Sequence, residues 1–466
     1  MWGFFYFQEP PFFHKLHQNN NTTMKKTLLI VFCFVLFGAF RTTAQTSVTV
    51  FNEILFYDGY ASVVDFPTPD GVIRGRNDLY AKKLTDAQLQ SFGNTMTINV
   101  TIKASCDNYD RIGNVNLAFV PKGAPYTVSG PIRIELGRFI TPFMNKNIEP
   151  TQVPYTFTVD NVAQIFKDPS ITANYDIWAE LEVFGVPYAA NTQVAGCAGR
   201  NDVFFGTLEF VSGPDTANAE HNYLLPLNFK KDLNNYTEGA TDVIGQTVRT
   251  ITFTLPEAVN DAKFHLITSN HGANSGGEEY RRRVHYVYLD GALKLTYTPG
   301  GISCEPYRMY NTQGNGIYEP NPRTDASWAS NSNWCPGQVI PIREIVLGDL
   351  AAGTHTFKID VPQARFVGQQ GYIPVSLYLQ GTSTTGSLQT ANYDTVTYSI
   401  YPNPASDVVH VDSSEPIVSI KIYNLLGQEV ARGTSETVNI SQLQKGIYNI
   451  SISTIGKTFV EKLLKN

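Results

Sequence analysis

The sequence predicts an all-β, exported protein, and three observations carry that prediction. Charged residues make up only 16% of the 466 residues while aromatics reach 12%, with 25 Tyr and 28 Phe. Turn formers are plentiful, at 36 Gly and 26 Pro, a mix that suits many short strands joined by tight turns. Alternating apolar and polar residues recur along the chain, whereas helical periodicity is confined to short pieces such as Leu84 to Phe92 and Asn161 to Phe166.

The chain opens on a Phe- and Asn-rich stretch, 1–23, that resembles no secretory leader and reads as a misplaced translation start. Met24-Lys25-Lys26, the apolar run Thr27 to Phe40 and Thr42-Thr43-Ala44 then supply the charged, apolar and small-residue parts of a secretory signal. The run is shorter than the roughly 20 residues of a membrane-spanning helix, so a cleaved signal is expected, with the cut after Ala44 and residues 1–45 counted as leader and signal. That loss takes away Lys15, Lys25, Lys26, Arg41 and Glu9, moving the net charge from −6 to −9, with 31 basic against 40 acidic residues. Such an acidic surface argues against nucleic acid as a partner. Of the five cysteines Cys33 leaves with the signal, and Cys106, Cys197, Cys304 and Cys335 remain for an oxidising compartment. They contain no CxxC pair, so a paired-cysteine zinc site is unsupported.

The strands follow from period-2 patterning. Met96, Ile98, Val100 and Ile102 alternate with Thr97, Asn99, Thr101 and Lys103, and Val248 to Leu255, Thr354 to Val361 and Tyr372 to Leu379 repeat the pattern. Asp290-Gly291 between two such runs predicts a tight hairpin. The polar stretch Ser212 to Glu220, with Gly213-Pro214, predicts a domain boundary near 225, and Gly381 to Asn392 reads as a linker because it has nothing to bury. The expected organisation is 46–225, 226–380, a linker at 381–396 and a compact sandwich at 397–466.

That last segment contains Tyr401-Pro402-Asn403-Pro404, Asn424-Leu425-Leu426-Gly427-Gln428, Gly446-Ile447-Tyr448 and Lys462-Leu463-Leu464-Lys465. It resembles the C-terminal sorting domain of the type IX secretion system. The resemblance implies recognition by secretion machinery and export through the periplasm of a Gram-negative bacterium to the medium or cell surface.

Common catalytic signatures are missing: the sequence holds no His-Glu-x-x-His, no Gly-x-Ser-x-Gly and no phosphate loop. His265, His271 and His285 do not have the spacing of a recognised metal site. The informative stretches are Cys106-Asp107-Asn108-Tyr109-Asp110-Arg111, Leu136-Gly137-Arg138-Phe139-Ile140-Thr141-Pro142, Ile177-Trp178-Ala179-Glu180, Gly276-Gly277-Glu278-Glu279-Tyr280-Arg281-Arg282-Arg283 and Asn333-Trp334-Cys335-Pro336-Gly337. A turn carrying two carboxylates, an aromatic and a guanidinium suits water activation beside a charge-stabilising donor. It also suits mere bonding of backbone amides.

These stretches resemble the peptide-N-glycosidase F family over about residues 46 to 380. The resemblance implies two adjacent jelly-roll β-sandwich domains with the site in their shared groove, and hydrolysis of the amide between Asn and an N-linked glycan, with Asn becoming Asp. It implies Asp110, Glu279 and Glu180 as catalytic acids, and Asp107, Tyr109, Arg111, Tyr280, Arg283, Trp334 and Arg323 as substrate contacts. A Cys304–Cys335 bridge is also implied, whereas pairing of Cys106 with Cys197 stays open. On a strand, Glu279, Arg281 and Arg283 would share one face, so a guanidinium is expected to hold Glu279 ionised. No cofactor or metal is expected, the substrates are N-glycoproteins or N-glycopeptides, and the protein is expected to be monomeric.

The chain departs from the family where sugar is read. Glu182 and Tyr280 stand at tryptophan positions, Asn331 at that of an arginine, and Ser105, Gly277 and Arg281 at cysteine positions. Three other readings compete: a glycoprotein-binding double jelly roll with decayed catalysis, a paired-carboxylate O-glycosidase, and a copper monooxygenase resting on the histidines.

Overall fold

The computed structural model describes residues 45–214, 223–237, 240–241, 245–383, 398–413, 417–433, 436–454 and 458–466. The expected signal segment and most of the expected linker therefore lie outside the described residues. One compact unit ends at Leu388 and a second runs Gln389–Asn466.

The first unit holds two jelly-roll sandwiches. The first sandwich comprises β1 (Thr46–Tyr57), β2 (Val72–Arg76), β3 (Leu79–Lys83), β4 (Thr95–Ala104), β5 (Ile112–Pro121), β6 (Ile132–Ile140), β7 (Gln152–Thr158), β8 (Tyr175–Val183) and β9 (Asp202–Gly213). The second comprises β10 (Tyr223–Leu233), β11 (Val248–Leu255), β12 (Val259–Thr268), β13 (His285–Leu289), β14 (Ala292–Tyr297), β16 (Arg343–Leu350), β17 (Gly353–Asp360) and β18 (Ile373–Ser383), with the short β15 (Val339–Ile340) before β16.

In the first sandwich a sheet of order β1-β9-β4-β7 faces one of order β15-β6-β5-β8-β3-β2, and in the second β10-β18-β12-β16 faces β11-β17-β13-β14. β15 comes from the second half of the chain yet pairs with β6, Val339 opposite Phe139. The alternation expected for β4 is complete, every second side chain being buried. Its inward residues join Leu117, Phe119, Phe157 and Phe210 in one core, each worth about 1.5–3 kcal/mol on burial. Asp290 and Gly291 take φ of 51° and 79° between β13 and β14, as a twisted two-residue hairpin demands. The short helical pieces also form: Asp86–Ser91 starts on a capping box between Thr85 and Gln88. β18 continues to Ser383, with Gly381 paired to Tyr223, so residues 381–383 of the expected linker are strand.

The sandwiches meet over β6. Arg138, fully buried, donates to both carboxylate oxygens of Glu135 at 2.8 and 2.7 Å, and to Ser269 Oγ and Pro374 O at 2.9 Å each. Ser376 Oγ donates to Glu135 in turn. The groove between the sandwiches is thus fixed by a buried ion pair whose remaining bonding positions reach β18 and the residue after β12.

The second unit is a small sandwich of its own. Strands β19 (Tyr398–Tyr401), β20 (Val408–Ser413) and β23 (Thr437–Asn439) form one sheet, and β22 (Glu429–Gly433), β21 (Ile417–Tyr423), β24 (Gly446–Thr454) and β25 (Thr458–Lys465) the other. Val409, Val411, Ile420, Ile422, Ile450, Ile452 and Leu463 fill the space between them. Among the described residues no helix is long and apolar enough to cross a membrane.

Candidate active site

The chain leaves β4 of one sheet at Ala104 and enters β5 of the facing sheet at Ile112 through the loop that carries Asp110. Asp107 folds this loop: its carboxylate accepts from Tyr109 N at 2.9 Å, Val186 N at 2.6 Å and Arg111 Nε at 2.7 Å. Fully buried and away from the cleft, Asp107 is a loop anchor and does not have the exposure its expected substrate contact requires. Burial pushes its carboxyl up, and Arg111 opposes that with the largest downward pull.

From β6 side, Thr141 Oγ1 accepts from Arg111 N at 2.8 Å and donates to Tyr109 O at 3.0 Å, clasping both neighbours of Asp110. Cys106 is bridged to Cys197, which settles the open pairing and ties the loop to the segment after the Ala190–Gln193 helical turn. A Thr141→Val variant should leave the Arg111 N–H buried without a partner, costing about 1–3 kcal/mol. Urea unfolding should show that loss, together with a fall in kcat larger than any rise in KM.

Glu279 is not on a strand. Residues 276–280 form turns and 281–284 an irregular stretch, where Gly272, Gly277 and Gly371 pack main chain on main chain. A Cβ at Gly277 would lie 2.0 Å from Gly272 O, and one at Gly371, whose φ is +83°, would lie 2.3 Å from His271 O. The same crowding leaves no room for a cysteine at 277. The expectation that a guanidinium holds Glu279 ionised is corrected: Arg283, also an expected substrate contact, grips Glu278 through Nε at 2.7 Å and a terminal nitrogen at 3.1 Å, away from the cleft.

Glu279 is held by its main chain instead. Asn333 Nδ2 donates to the carbonyls of Glu278, Glu279 and Arg281 at 2.8, 2.7 and 3.2 Å. The Trp-Cys-Pro-Gly turn that follows is closed by the Cys304–Cys335 bridge. Trp334 is 4% exposed and donates its Nε1 to Asn270 O at 2.9 Å. It floors the cleft and offers no open face for a sugar.

Asp110 and Glu279 line one cavity of about 610 Å³, together with Tyr109, Arg111, His271, Tyr280 and Trp334. Burial pushes Asp110 up to about 7, against the pull of Arg111. Burial and the nearby Asp110 push Glu279 up to about 8, against hydrogen bonds from the Tyr280 hydroxyl and Gly272 N–H. Two acids with raised values lining one cleft favour one ionised and one protonated carboxyl near neutrality. Arg111 spends two of its N–H groups on Asp107 and still borders the cleft. Burial drives His271 down to about 3, so it lines the wall as a neutral ring bonded to Ser269 Oγ at 2.7 Å. His265 and His285 stack elsewhere, on Tyr378 and Tyr297.

Two further expectations, Glu180 and Arg323, fail on position. Glu180 lies on β8 outside the cleft, buried and saturated by Tyr126 OH at 2.6 Å, Arg133 Nε at 2.9 Å and Asn116 Nδ2 at 3.3 Å. Glu182 points along the same row, paired with Lys230 and with Arg76 at 2.8 Å. Arg323 stacks over Trp328 at 4.8 Å and does not line the cavity. The residues that sequence reasoning missed are Tyr60, Phe184, Tyr188, Gln370 and Tyr372, all lining the cleft from loops or strand ends. No periodicity marks such positions, and a Tyr-rich chain hides them in its composition.

The N-terminal profile of peptide-N-glycosidase F matches residues 47–198 and its C-terminal profile residues 240–380, while a secretion system C-terminal sorting domain matches 399–466. Two structures of PNGF-II, in different space groups, are similar in fold. One is 22% identical with a TM-score of 0.54 over 75% of this chain and 68% of that one, the other 21% identical with 0.52 over 78% and 68%. PNGase F, a glycosylasparaginase from Flavobacterium meningosepticum, aligns at 15% identity and a TM-score of 0.46, over 74% of this chain and 98% of its own. No curated protein matches the chain.

Proposed function

We propose that this chain, which belongs to the peptide-N-glycosidase F family through profiles matching residues 47–198 and 240–380, hydrolyses the amide between asparagine and an N-linked glycan. The observation that carries this reading is the convergence of Asp110 and Glu279, from different sandwiches, on one cavity where both carboxyls are pushed up. Ionised Asp110 takes a proton from water as the oxygen attacks the amide carbon. Arg111, beside it, neutralises the charge growing on the carbonyl oxygen.

Protonated Glu279 then gives its proton to the departing nitrogen as the C–N bond breaks. The products are a glycosylamine, which loses ammonia in water, and a peptide with Asp in place of Asn. Tyr109 and Tyr280 border the same space and serve substrate binding. The sorting domain at the C terminus indicates type IX secretion. We infer that the enzyme acts as a monomer on glycoproteins outside the cell, having crossed the periplasm of a Gram-negative bacterium.

The test is a denatured N-glycopeptide incubated with the mature protein and read by mass. Loss of the whole glycan with Asn converted to Asp is expected. An N-acetylglucosamine left on the peptide would overturn amide hydrolysis in favour of glycosidase chemistry. Binding without turnover would instead favour the decayed glycoprotein-binding reading, which the burial of Glu180 away from the cleft supports.

A further inference from the structure

The first-sandwich wall of the cleft carries two tyrosines whose rings contribute little to the fold. Tyr60 is 80% exposed and Tyr188 65% exposed, yet both line the cavity. Phe184 joins them there, its ring 5.2 Å from that of Tyr60, edge to face, and 5.9 Å from the Arg111 guanidinium. Large aromatic surface left in water beside a reactive cleft marks a place where a ligand gains by covering it.

The support beneath these rings is rigid. Asn77, 2% exposed, donates to the carbonyls of Asp58, Ala61 and Ser62 at 2.8, 3.3 and 3.1 Å and accepts from Val64 N at 3.0 Å. Arg74 holds Val64 O and Phe66 O at 2.8 Å each. Gly59 N donates to Gly185 O at 2.9 Å, and a Cβ at Gly59 would sit 2.7 Å from the Phe184 ring. On the other side, Val186 N is fastened to Asp107 and the segment beyond Tyr188 is tied down by the Cys106–Cys197 bridge. Rings presented on a fixed backbone lose little freedom when a ligand arrives.

We propose that Tyr60 and Tyr188, backed by Phe184, form the stacking platform for the pyranose ring next to the scissile amide. This rests on the amidase reading. A pyranose chair with equatorial substituents shows a face of C–H bonds, which lies on an aromatic ring. The peptide on the other side of the amide needs hydrogen-bonding groups. The second-sandwich rim supplies them in Asn274 and Gln370, 2.7 Å apart, and in the main chain of Gly272 and Gly371.

The experiment compares Tyr60→Ala, Tyr188→Ala and Tyr60→Phe with the wild type on a denatured glycopeptide carrying the chitobiose core. Each alanine variant is expected to raise KM about tenfold with kcat within about twofold, while phenylalanine keeps KM within about twofold. Thermal midpoints within about 1 °C of wild type verify folding, since both side chains are exposed. Unchanged KM in both alanine variants of an active enzyme overturns the platform and leaves the amidase standing. So does a KM penalty that tracks peptide length and not the glycan. A wild type without activity sinks the amidase reading; calorimetric titration of the same proteins with the glycopeptide then decides the platform. Affinity lost in the alanine variants supports it, and equal or absent binding overturns it.

Discussion

Asp110→Asn is expected to lower kcat/KM on a denatured N-glycopeptide about a thousandfold, because the amide keeps the shape of the carboxylate but cannot take a proton from water. Glu279→Gln, which cannot give a proton to the leaving nitrogen, is expected to cost about a hundredfold. The wild-type pH profile should be a narrow bell. Activity rises through the first ionisation of the pair, near 7, as Asp110 becomes charged, and falls through the second, near 8, as Glu279 loses its proton. In Glu279→Gln the alkaline limb should disappear. A flat profile between about pH 6 and 9 would sink this assignment of base and acid.

The same shifts bear on stability with a definite sign. Both carboxyls are raised from ordinary values of 3.8 and 4.5, so the folded state binds more protons than the unfolded one in the intervening range. Their contribution is fully present below those ordinary values and is lost as pH rises through the folded ones. Asp110→Asn, neutral at every pH, should therefore melt above the wild type at about pH 8 and converge with it below about pH 4. A variant that gains activity loss without this stabilisation would show that burial is not what raises Asp110.

Arg138→Met is expected to destabilise the protein by about 3–5 kcal/mol, measured by urea unfolding. It strands the Glu135 carboxylate in the interior without its partner. Replacing both, as Glu135→Leu with Arg138→Met, should recover much of the loss, since an apolar pair leaves no buried charge. The single variant should also lose activity although it is distant in role from the chemistry. Ser269 and Pro374 are anchored through Arg138, and the cleft-lining His271 and Tyr372 lie two residues from each. A cost below about 1 kcal/mol would mean that water or another cation compensates Glu135.

Much of the site was legible because motifs are local. Cys106 to Arg111, Gly137 to Thr141 and Asn333 to Gly337 each fold as one turn or strand, and their short-range bonding follows from residue type. What local pattern does not carry is chain geometry. Glu279, Arg281 and Arg283 share a face only on a strand, and the glycines around 272, 277 and 371 force turns there, handing Arg283 to Glu278. Glu180 was assigned by resemblance alone, and its surroundings on β5, β6 and the loop between them satisfy it before any substrate can.

By itself, the sequence determined that this is an all-β chain with a separate C-terminal sorting module, and its family resemblance pointed to Asp110 and Glu279 as candidate acids. Periodicity of two and turn chemistry are encoded within a few residues, so they can be read without coordinates. The tertiary structure alone decided which side chains meet: that Cys106 bonds Cys197, that Asp107 and Trp334 support the cleft from beneath, and that Tyr60 and Tyr188 stand exposed at its edge. Those outcomes depend on burial and on contacts between residues far apart in the chain, which no local pattern records.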